Sequence, residues 1–379
     1  MERYRVLYYF LEYLHRVYDP PGFGIFRYIT FRSAASAVTA LFIAFWLGPK
    51  IIRLLRKKQV QETPKLEAPE RHRQKAGTPT MGGLVVLISV LVPTLLWVDL
   101  KNMYVILILV VTAGLGAVGF LDDYLKVIKK KPRGLIARYK LFGQVLIGLI
   151  VGGTIYFFPG LFDPNFAQIK SATTVPFFKN LEFDFGVLYI PMVVFVITAT
   201  SNAVNLTDGL DGLAIGLTGI VALTLAVITY ISGHAEFSQY LTIPFLPGNA
   251  ELVVYCLALV GASLGFLWFN AYPAQVFLGD TGSLALGGAI GTMCVLIKKE
   301  LLLPILGGVF LAETASVIVQ RFYFKYTKRK YGQGRRVFKM APIHHHFEMC
   351  GWPEPKIVTR FYIAAILLMI LSLATFKVR

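Results

Sequence analysis

Between two apolar runs, residues 187–203 and 213–231, lies the polar stretch Asn205-Leu206-Thr207-Asp208-Gly209-Leu210-Asp211-Gly212. It brings two carboxylates, an amide and two glycines into a region that otherwise consists of hydrocarbon side chains. Polar groups left unpaired in lipid cost several kcal/mol each, so this stretch requires water, a partner or a ligand. Three further clusters have the same character: Asp122-Asp123, Asn270 to Asp280, and His344-His345-His346.

The composition indicates a multispanning membrane protein. The chain has 379 residues, of which 56% are hydrophobic and only 16% charged, and its mean hydropathy is +0.62; a soluble domain carries roughly 25% charged residues. The net charge of +17 lies mostly in three loops. This pattern favours membrane orientation and contact with anionic headgroups or phosphorylated substrates over nucleic acid. The three scattered cysteines predict neither a disulfide framework nor a metal site.

Apolar runs long enough to cross, or nearly cross, ~30 Å of hydrocarbon predict about ten transmembrane helices in an all-α polytopic protein that forms a single membrane domain, residues 1–379. The runs cover residues 28–47, 82–98, 103–121, 141–158, 187–203, 213–231, 251–269, 284–299, 301–324 and 358–376. The aromatic and charged residues 1–20 show no signal-peptide cleavage site and predict an amphipathic surface helix that ends at Pro20-Pro21. A Thr173-Thr174-Val175 run within 159–186 favours a small extracytoplasmic hairpin.

The basic loops predict the orientation. Segments 48–80, 122–140 and 325–357 hold most of the lysines and arginines, which makes them cytoplasmic by the positive-inside rule. Counting spans from the first loop then makes 204–212 and 270–283 cytoplasmic as well, although neither carries Lys or Arg. All four polar clusters are therefore predicted on one face, and both termini on the other.

Two of the clusters offer carboxylates for a cation or a phosphate site. Asp122 and Asp123 end the third span, where a basic partner or a metal ion is expected; the alternative is a solvated helix end paired with Lys126. Asp208 and Asp211 share one side if a helix starts there, and Thr207 or Asp208 is predicted to cap that helix at a phosphate-binding N-terminus. The alternative is a cap and a solvated first turn.

The other two clusters and two lysines are candidates for nucleotide and phosphate binding. Gly279-Asp280-Thr281-Gly282-Ser283 resembles a phosphate or metal turn, and Phe277 is placed to stack on a base, unless the segment is only a tight turn at the interface. The histidine run fits phosphate contact better than structural zinc, with a plain interfacial loop as the alternative. Lys75 and Lys140 are candidate phosphate clamps, although a single lysine is more often topological or bound to headgroups.

An inward-facing site with acids, basic clamps and histidines, but no Walker A or dinucleotide-binding sequence, favours phosphoryl chemistry on a lipid. A secondary transporter would instead place isolated acids near mid-membrane in broken helices.

The chain resembles the phospho-N-acetylmuramoyl-pentapeptide transferase family, which belongs to the polyprenyl-phosphate N-acetylhexosamine 1-phosphate transferase superfamily. The resemblance covers nearly the whole chain. It rests on Tyr28–Arg32, Thr78–Gly83, Gly119–Tyr124, Asn202–Gly212, Gly265–Asn270, Pro273–Asp280 and Met340–Glu348. The acidic motifs are shared across the superfamily, whereas Ala341-Pro-Ile-His-His-His-Phe-Glu348 is specific to this family.

The resemblance implies a homodimeric, Mg²⁺-dependent enzyme of the bacterial inner membrane, embedded in membrane lipids. Its reaction moves phospho-MurNAc-pentapeptide from UDP-MurNAc-pentapeptide to undecaprenyl phosphate, forms lipid I and releases UMP. The implied catalytic residues are Asp122, Asp123, Asp280 and His344, with Asp280 as the metal ligand. The implied substrate-binding residues are Lys75, Lys140, Asn205, Asp208, Asp211, Asn270, Phe277, His345 and His346.

Two alternatives stay open at the level of sequence: a transferase of the same superfamily that uses UDP-GlcNAc, and a transporter of lipid-linked substrates. We expect direct attack of the lipid phosphate with Asp122 as base, in competition with a two-step aspartyl-phosphate route.

Overall fold

The computed structural model describes residues 7–18, 20–58, 77–131, 134–178 and 181–377. Its helices are α1 Leu7–Tyr18, α2 Ile29–Lys57, α3 Gly83–Trp97, α4 Met103–Asp123, α5 Ala137–Phe157, α6 Pro164–Gln168, α7 Tyr189–Thr207, α8 Leu213–Ser232, α9 Ala235–Leu241, α10 Leu252–Asn270, α11 Gly279–Leu296, α12 Leu303–Leu306, α13 Gly308–Tyr331, α14 Ile343–Met349 and α15 Glu354–Ala374. Short 3₁₀ turns join several of them, and a π-helical turn, Tyr124–Ile128, continues α4. The fold is all-α and polytopic, as the sequence predicts.

Nine of the ten apolar runs form one helix each, and the run 301–324 is divided between α12 and α13. Among the described residues, seven are long and apolar enough to cross a membrane, or eight if α12 and α13 count as one span with an 82° bend. The apolar helix α3 has 15 residues, about 22 Å at 1.5 Å per residue. It is shorter than the roughly 20 residues that a transmembrane helix usually needs, so it is not among these seven or eight candidates.

Helix α11 is the centre of the bundle. Every residue from Thr281 to Leu296 is buried, and α11 packs against α3, α4, α7 and α8. Small residues allow this close packing: a side-chain carbon added to Gly119 of α4 would lie 2.1 Å from the Asp280 carbonyl oxygen. The end of α4 and the start of α11 are thus held in direct contact.

The bundle has two polar ends. We call the end where α4 terminates and α11 begins the aspartate end, and the end where α2 begins and α3 terminates the arginine end. At the arginine end, Arg32 donates to both carboxylate oxygens of Glu251 at 2.7 and 2.6 Å and to the Trp97 carbonyl at 3.0 Å. These bonds tie the start of α2 to the end of α3 and to the turn that precedes α10.

A helix and a hairpin form near the arginine end where the sequence predicts them, while their positions relative to the membrane stay predictions. Helix α1 ends at Tyr18, before Pro20, and Tyr9 of this helix donates its hydroxyl to Asp99 at 2.5 Å. Strands β1 Ala172–Thr174 and β2 Glu182–Asp184 form an antiparallel hairpin in which Thr173 lies opposite Phe183.

Candidate active site

The two aspartates at the end of α4 have different partners although they are adjacent in sequence. Asp122 is fully buried; its Oδ1 accepts from the Leu135 backbone N–H at 2.6 Å, and its Oδ2 lies 2.9 Å from Lys140 Nζ and pairs with Lys126. The continuation of the helix after Asp122 places Lys126 one turn further along, on the same side. The π-helical turn therefore positions the first basic partner of the site.

Asp280 shares both of these lysines. Its Oδ2 lies 2.9 Å from Lys126 Nζ and also accepts from Lys140, while its Oδ1 accepts from Asn205 Nδ2 at 2.7 Å. Because Asp280 lies in the first turn of α11, its position follows from the burial of that helix. Residues from α4, α5, α7 and α11 thus meet in one cluster.

The carboxylate of Asp123 accepts hydrogen bonds at the N-terminus of α11. Its carboxylate accepts from the backbone N–H groups of Asp280 at 3.2 Å and Thr281 at 2.9 Å, and from the Thr281 hydroxyl at 2.6 Å. Free N–H groups at a helix N-terminus require acceptors and favour negative charge. Asp123 therefore fixes the start of the helix that carries Asp280.

The cluster has the chemistry of a cation or phosphate site. One carboxylate oxygen from each of Asp122, Asp123 and Asp280 lies within 4.8 Å of the others. Asp122 and Asp280 pair with the ammonium groups of Lys126 and Lys140, and Asp123 is the third carboxylate beside them, so these five groups in their ionised forms carry one net negative charge. Hard oxygen ligands of this kind suit a divalent cation, and the lysines suit phosphate oxygens.

The polar stretch after α7 is a turn rather than the start of a helix. Helix α7 ends at Thr207, Asp208 is half-buried in the turn, and α8 begins only after Gly212. The prediction that Thr207 or Asp208 caps α8 is wrong, because Gly212 occupies the cap position without any side-chain bond, at φ 80°. Because α7 ends before Asp208 and α8 begins after Asp211, neither aspartate lies in the first turn of α8.

Asp211 and Asn270 hold this turn in place. Asp211 is buried; its carboxylate accepts from the Ala274 N–H at 3.0 Å, and its own N–H donates to Glu354 at 2.6 Å. Asn270 accepts from the Gly212 N–H at 3.1 Å and donates to the Val276 carbonyl at 2.8 Å. Both side chains connect the turn to the segment that carries Phe277, and their contact with substrate stays a prediction.

The segment that begins at Gly77 is attached to the same region. The Phe277 N–H donates to the Pro79 carbonyl at 2.8 Å, and the N–H groups of Gly82 and Gly83 donate to the carbonyls of Phe277 and Leu278 at 2.8 Å. Phe277 is half-buried beside the turn that leads to Asp280. Lys75 lies outside the described residues.

The three histidines of α14 diverge rather than converge on one point. His344 is fully buried and its Nδ1 lies 3.0 Å from Glu313 Oε2, while His345 Nδ1 lies 2.7 Å from Glu348 Oε2. His346 Nδ1 accepts from the Lys339 backbone N–H at 3.1 Å. The run therefore supplies three separate contacts along a seven-residue helix.

Sequence reasoning missed four contacts of this region. They are the shared contact of Lys126 with both aspartates, the bond of Thr281 to Asp123, the contact of Glu313 with His344 and the bond of Glu354 to Asp211. The spacing of Lys126 four positions after Asp122 was the available signal. The other three act across long sequence separations, which no local pattern shows.

Comparison with known proteins shows the family of this chain. The profile of glycosyl transferase family 4 matches residues 105–298, and phospho-N-acetylmuramoyl-pentapeptide-transferase signature 1 matches residues 75–87. Proteins named phospho-N-acetylmuramoyl-pentapeptide-transferase from Chloroherpeton thalassium and Chlorobium luteolum are each 53% identical to this chain over 374 residues, covering 99% of it and 100% of the relative. The chain belongs to the phospho-N-acetylmuramoyl-pentapeptide-transferase family.

The residues matched by the two family models include most of the carboxylate cluster. The glycosyl transferase family 4 match contains both ends of the carboxylate cluster, Asp122 and Asp280, together with Lys140 and Asn205. The signature of the transferase family contains Gly82 and Gly83, the residues that bind the backbone before Asp280. His344 and Glu313 lie outside both matches.

Proposed function

We propose that the protein transfers phospho-MurNAc-pentapeptide from UDP-MurNAc-pentapeptide to undecaprenyl phosphate, with formation of lipid I and release of UMP, in peptidoglycan synthesis. The observation that carries the proposal is the shared contact of Asp122 and Asp280 with Lys126 and Lys140. A site of acids and lysines at the end of a membrane bundle suits two phosphorylated reactants, one of which is a lipid.

The proposed cofactor is Mg²⁺. The donors that would hold it are carboxylate oxygens of Asp122 and Asp280, while Asp123, already engaged at the start of α11, adds its charge nearby. Their oxygen chemistry and net negative charge fit this ion. When bound, Mg²⁺ neutralises charge on the diphosphate.

The protein's own side chains supply the remaining steps. Lys126 and Lys140 exchange carboxylate for phosphate oxygens when substrate binds, and Asn205 keeps Asp280 oriented through its 2.7 Å bond. Asp122 takes a proton from the lipid phosphate. One phosphate oxygen of the lipid then forms a bond to the β-phosphorus of the nucleotide, and the bond to the UMP oxygen breaks.

The remaining predicted residues bind the nucleotide and sugar. Phe277 stacks on uracil, Asn270 and Asp211 shape the nucleotide pocket, and Asp208 faces the substrate. Lys75, His345 and His346 contact the phosphates and sugar.

We further propose that the aspartate end faces the cytoplasm of a bacterial inner membrane, that both termini lie outside, and that the single-domain protein works as a homodimer. The charge of the basic loops supports this orientation.

The deciding experiment measures UMP release by the purified protein in lipid nanodiscs. We expect release only when UDP-MurNAc-pentapeptide, undecaprenyl phosphate and Mg²⁺ are all present, and loss of activity with a chelator that added Mg²⁺ restores. UDP-GlcNAc is the matched donor control and should give no lipid product. UMP release without the lipid acceptor, or a trapped phospho-aspartate, would contradict direct attack, and Mg²⁺-independent lipid movement without UMP would favour a transporter.

A further inference from the structure

The second half of helix α13 projects from the bundle. In its first half, side chains up to Ser316 are buried, whereas from Arg321 to Tyr331 only Thr327 is buried. Phe322 is 73% exposed and Tyr326 is 56% exposed. Large aromatic side chains that are exposed on a membrane protein are covered by lipid or lie at the membrane interface. This half of α13 therefore extends from the bundle into the surrounding lipid.

The end of α13 and the segment that follows it form a surface that we call the basic arm, residues 325–339. Its basic side chains are all exposed: Lys325, Lys328, Arg329, Lys330, Arg335, Arg336 and Lys339. The sequence contains no aspartate or glutamate between Glu313 and Glu348. Within the part of the chain that the structure describes, no ion pair involves any of these basic residues. The positive charge of the arm is therefore not compensated by the protein.

Hydrogen bonds hold the arm against its own helix. The hydroxyl of the buried Thr327 accepts from the Arg335 backbone N–H at 2.8 Å. Gln320 accepts from the N–H groups of Val337 and Phe338 at 3.0 and 2.9 Å and donates to the Phe338 carbonyl at 3.0 Å. The segment after α13 thus folds back along the helix, and its charges are concentrated at one place.

Aromatic side chains connect the arm with the membrane interface. Phe322, Tyr326 and Tyr331 lie where the apolar part of α13 gives way to the basic part, and such aromatics are typical of the interface. The Arg335 guanidinium lies 4.9 Å from the centre of the Tyr331 ring, and Lys330 Nζ lies 5.4 Å from it. Charges this close to interfacial rings lie within about one Debye length, ~8 Å, of the lipid headgroups.

The arm belongs to the aspartate end of the bundle. The Lys339 backbone N–H donates to His346 of α14 at 3.1 Å, and a side-chain carbon added to Gly209, in the turn after α7, would lie 2.3 Å from His344 of the same helix. We propose that the basic arm is a docking surface for acidic phospholipid headgroups in the leaflet at the aspartate end. A lipid surface fits better than an acidic protein, because the arm directly continues a helix whose exposed aromatic side chains contact lipid. This docking surface goes beyond the proposed reaction, since its charges lie outside the carboxylate cluster.

The test measures which lipid gathers around the arm. Gln333→Cys, made in a Cys350→Ser background, carries a donor fluorophore at the tip of the arm; Cys256 and Cys294 are buried. The labelled protein is placed in phosphatidylcholine nanodiscs with a small fraction of phosphatidylglycerol or phosphatidylcholine that carries an acceptor on its acyl chain. We expect energy transfer to phosphatidylglycerol to exceed that to phosphatidylcholine by about twofold, and the ratio to fall towards one at high salt.

A matched pair of variants assigns the effect to the arm. The triple variant Lys328→Gln, Arg329→Gln, Lys330→Gln should lower the transfer ratio to about one, because the attraction depends on these charges. The control Arg56→Gln, Lys57→Gln, Lys58→Gln removes the same charge from three exposed residues at the end of α2 and should leave the ratio at Gln333→Cys unchanged. All six side chains are exposed, so neither variant disturbs the packing of the bundle.

Two results would overturn the proposal. One is equal energy transfer to both lipids in the protein with an intact arm, and the other is an equal loss of the ratio in the two triple variants. Equal transfer together with salt-sensitive binding of a poly-glutamate peptide, lost in the arm variant, would assign the surface to an acidic protein instead. Because none of these measurements requires turnover, their outcome is independent of whether the protein releases UMP.

Discussion

The two polar ends of the bundle use charge in different ways. At the arginine end, the buried Arg32 meets Glu251 in a two-bond ion pair, and Glu251 also accepts from the Asp99 N–H at 3.0 Å. At the aspartate end, Asp122 and Asp280 share Lys126 and Lys140, and the carboxylate of Asp123 lies beside them at the start of α11. At the arginine end one arginine is bound by one carboxylate, whereas at the aspartate end each lysine is shared between two carboxylates.

This difference separates a structural site from a reactive one. A matched pair with good geometry stabilises the contact between helices only as long as both partners remain. Lysines that are shared between two carboxylates, with a third carboxylate nearby, leave groups that a cation and phosphates can rearrange. Mutations at the arginine end should therefore change stability, and mutations at the aspartate end should change activity.

The largest effect is expected for Asp280→Asn. Removing one of the two carboxylates that share the lysines should lower UMP release by roughly a thousandfold, while the thermal unfolding midpoint changes little. Asp163→Asn makes the same chemical change at the arginine end, where Asp163 accepts from Tyr104 at 2.6 Å. The control should lose stability and keep its rate of UMP release per folded protein. Comparable losses of UMP release in both variants would contradict the different roles of the two ends.

Arg32→Ala tests the opposite end. Because the Glu251 carboxylate, only 14% exposed, would lose its partner, we expect the free energy of unfolding to fall by up to about 3 kcal/mol, with UMP release per folded protein unchanged. The control is Arg16→Ala, whose ion pair with Glu12 is 66% exposed at the arginine; its shift should be below about 0.5 kcal/mol. Denaturation in detergent measures both, and equal shifts would show that burial of Arg32 does not matter.

Gly209→Ala tests the contact between the turn and the histidine helix. The added carbon would lie 2.3 Å from His344 Nε2, so the ring or the turn must move. We expect UMP release to fall by about tenfold to a hundredfold. Gly160→Ala adds the same carbon where nothing lies within 4 Å and should have no effect. Normal activity of Gly209→Ala would mean that the turn adjusts freely.

The smallest effect is expected for Thr281→Val. Asp123 would lose the 2.6 Å hydroxyl bond but keep the 2.9 Å bond to the Thr281 N–H. We expect a stability loss of about 1–2 kcal/mol and an activity loss of a few-fold. The control Thr154→Val removes only a bond to the Ile150 carbonyl within its own helix. An activity loss as large as that of Asp280→Asn would give Asp123 a direct role in the chemistry.

The local sequence pattern was sufficient to predict the helices and the clustering of Asp122 with Asp280. Each apolar run became helical, and Asp122 and Asp280 meet as their positions at helix ends predict. The number of helices that cross the membrane stays a prediction, because hydropathy does not show whether an apolar helix is surrounded by lipid or by protein. Helix α11, buried from Thr281 onward, is the clearest case.

By itself, the sequence determined the class of the protein, the apolar runs, the family motifs and the predicted common face of the acids, because hydrophobicity and motif spacing are local properties of the chain. Only the tertiary structure decided that Lys126 bridges two aspartates, that Asp123 serves a helix N-terminus and that His344 pairs with Glu313. Those partners are set by how helices pack, and the contacts join residues up to 158 positions apart.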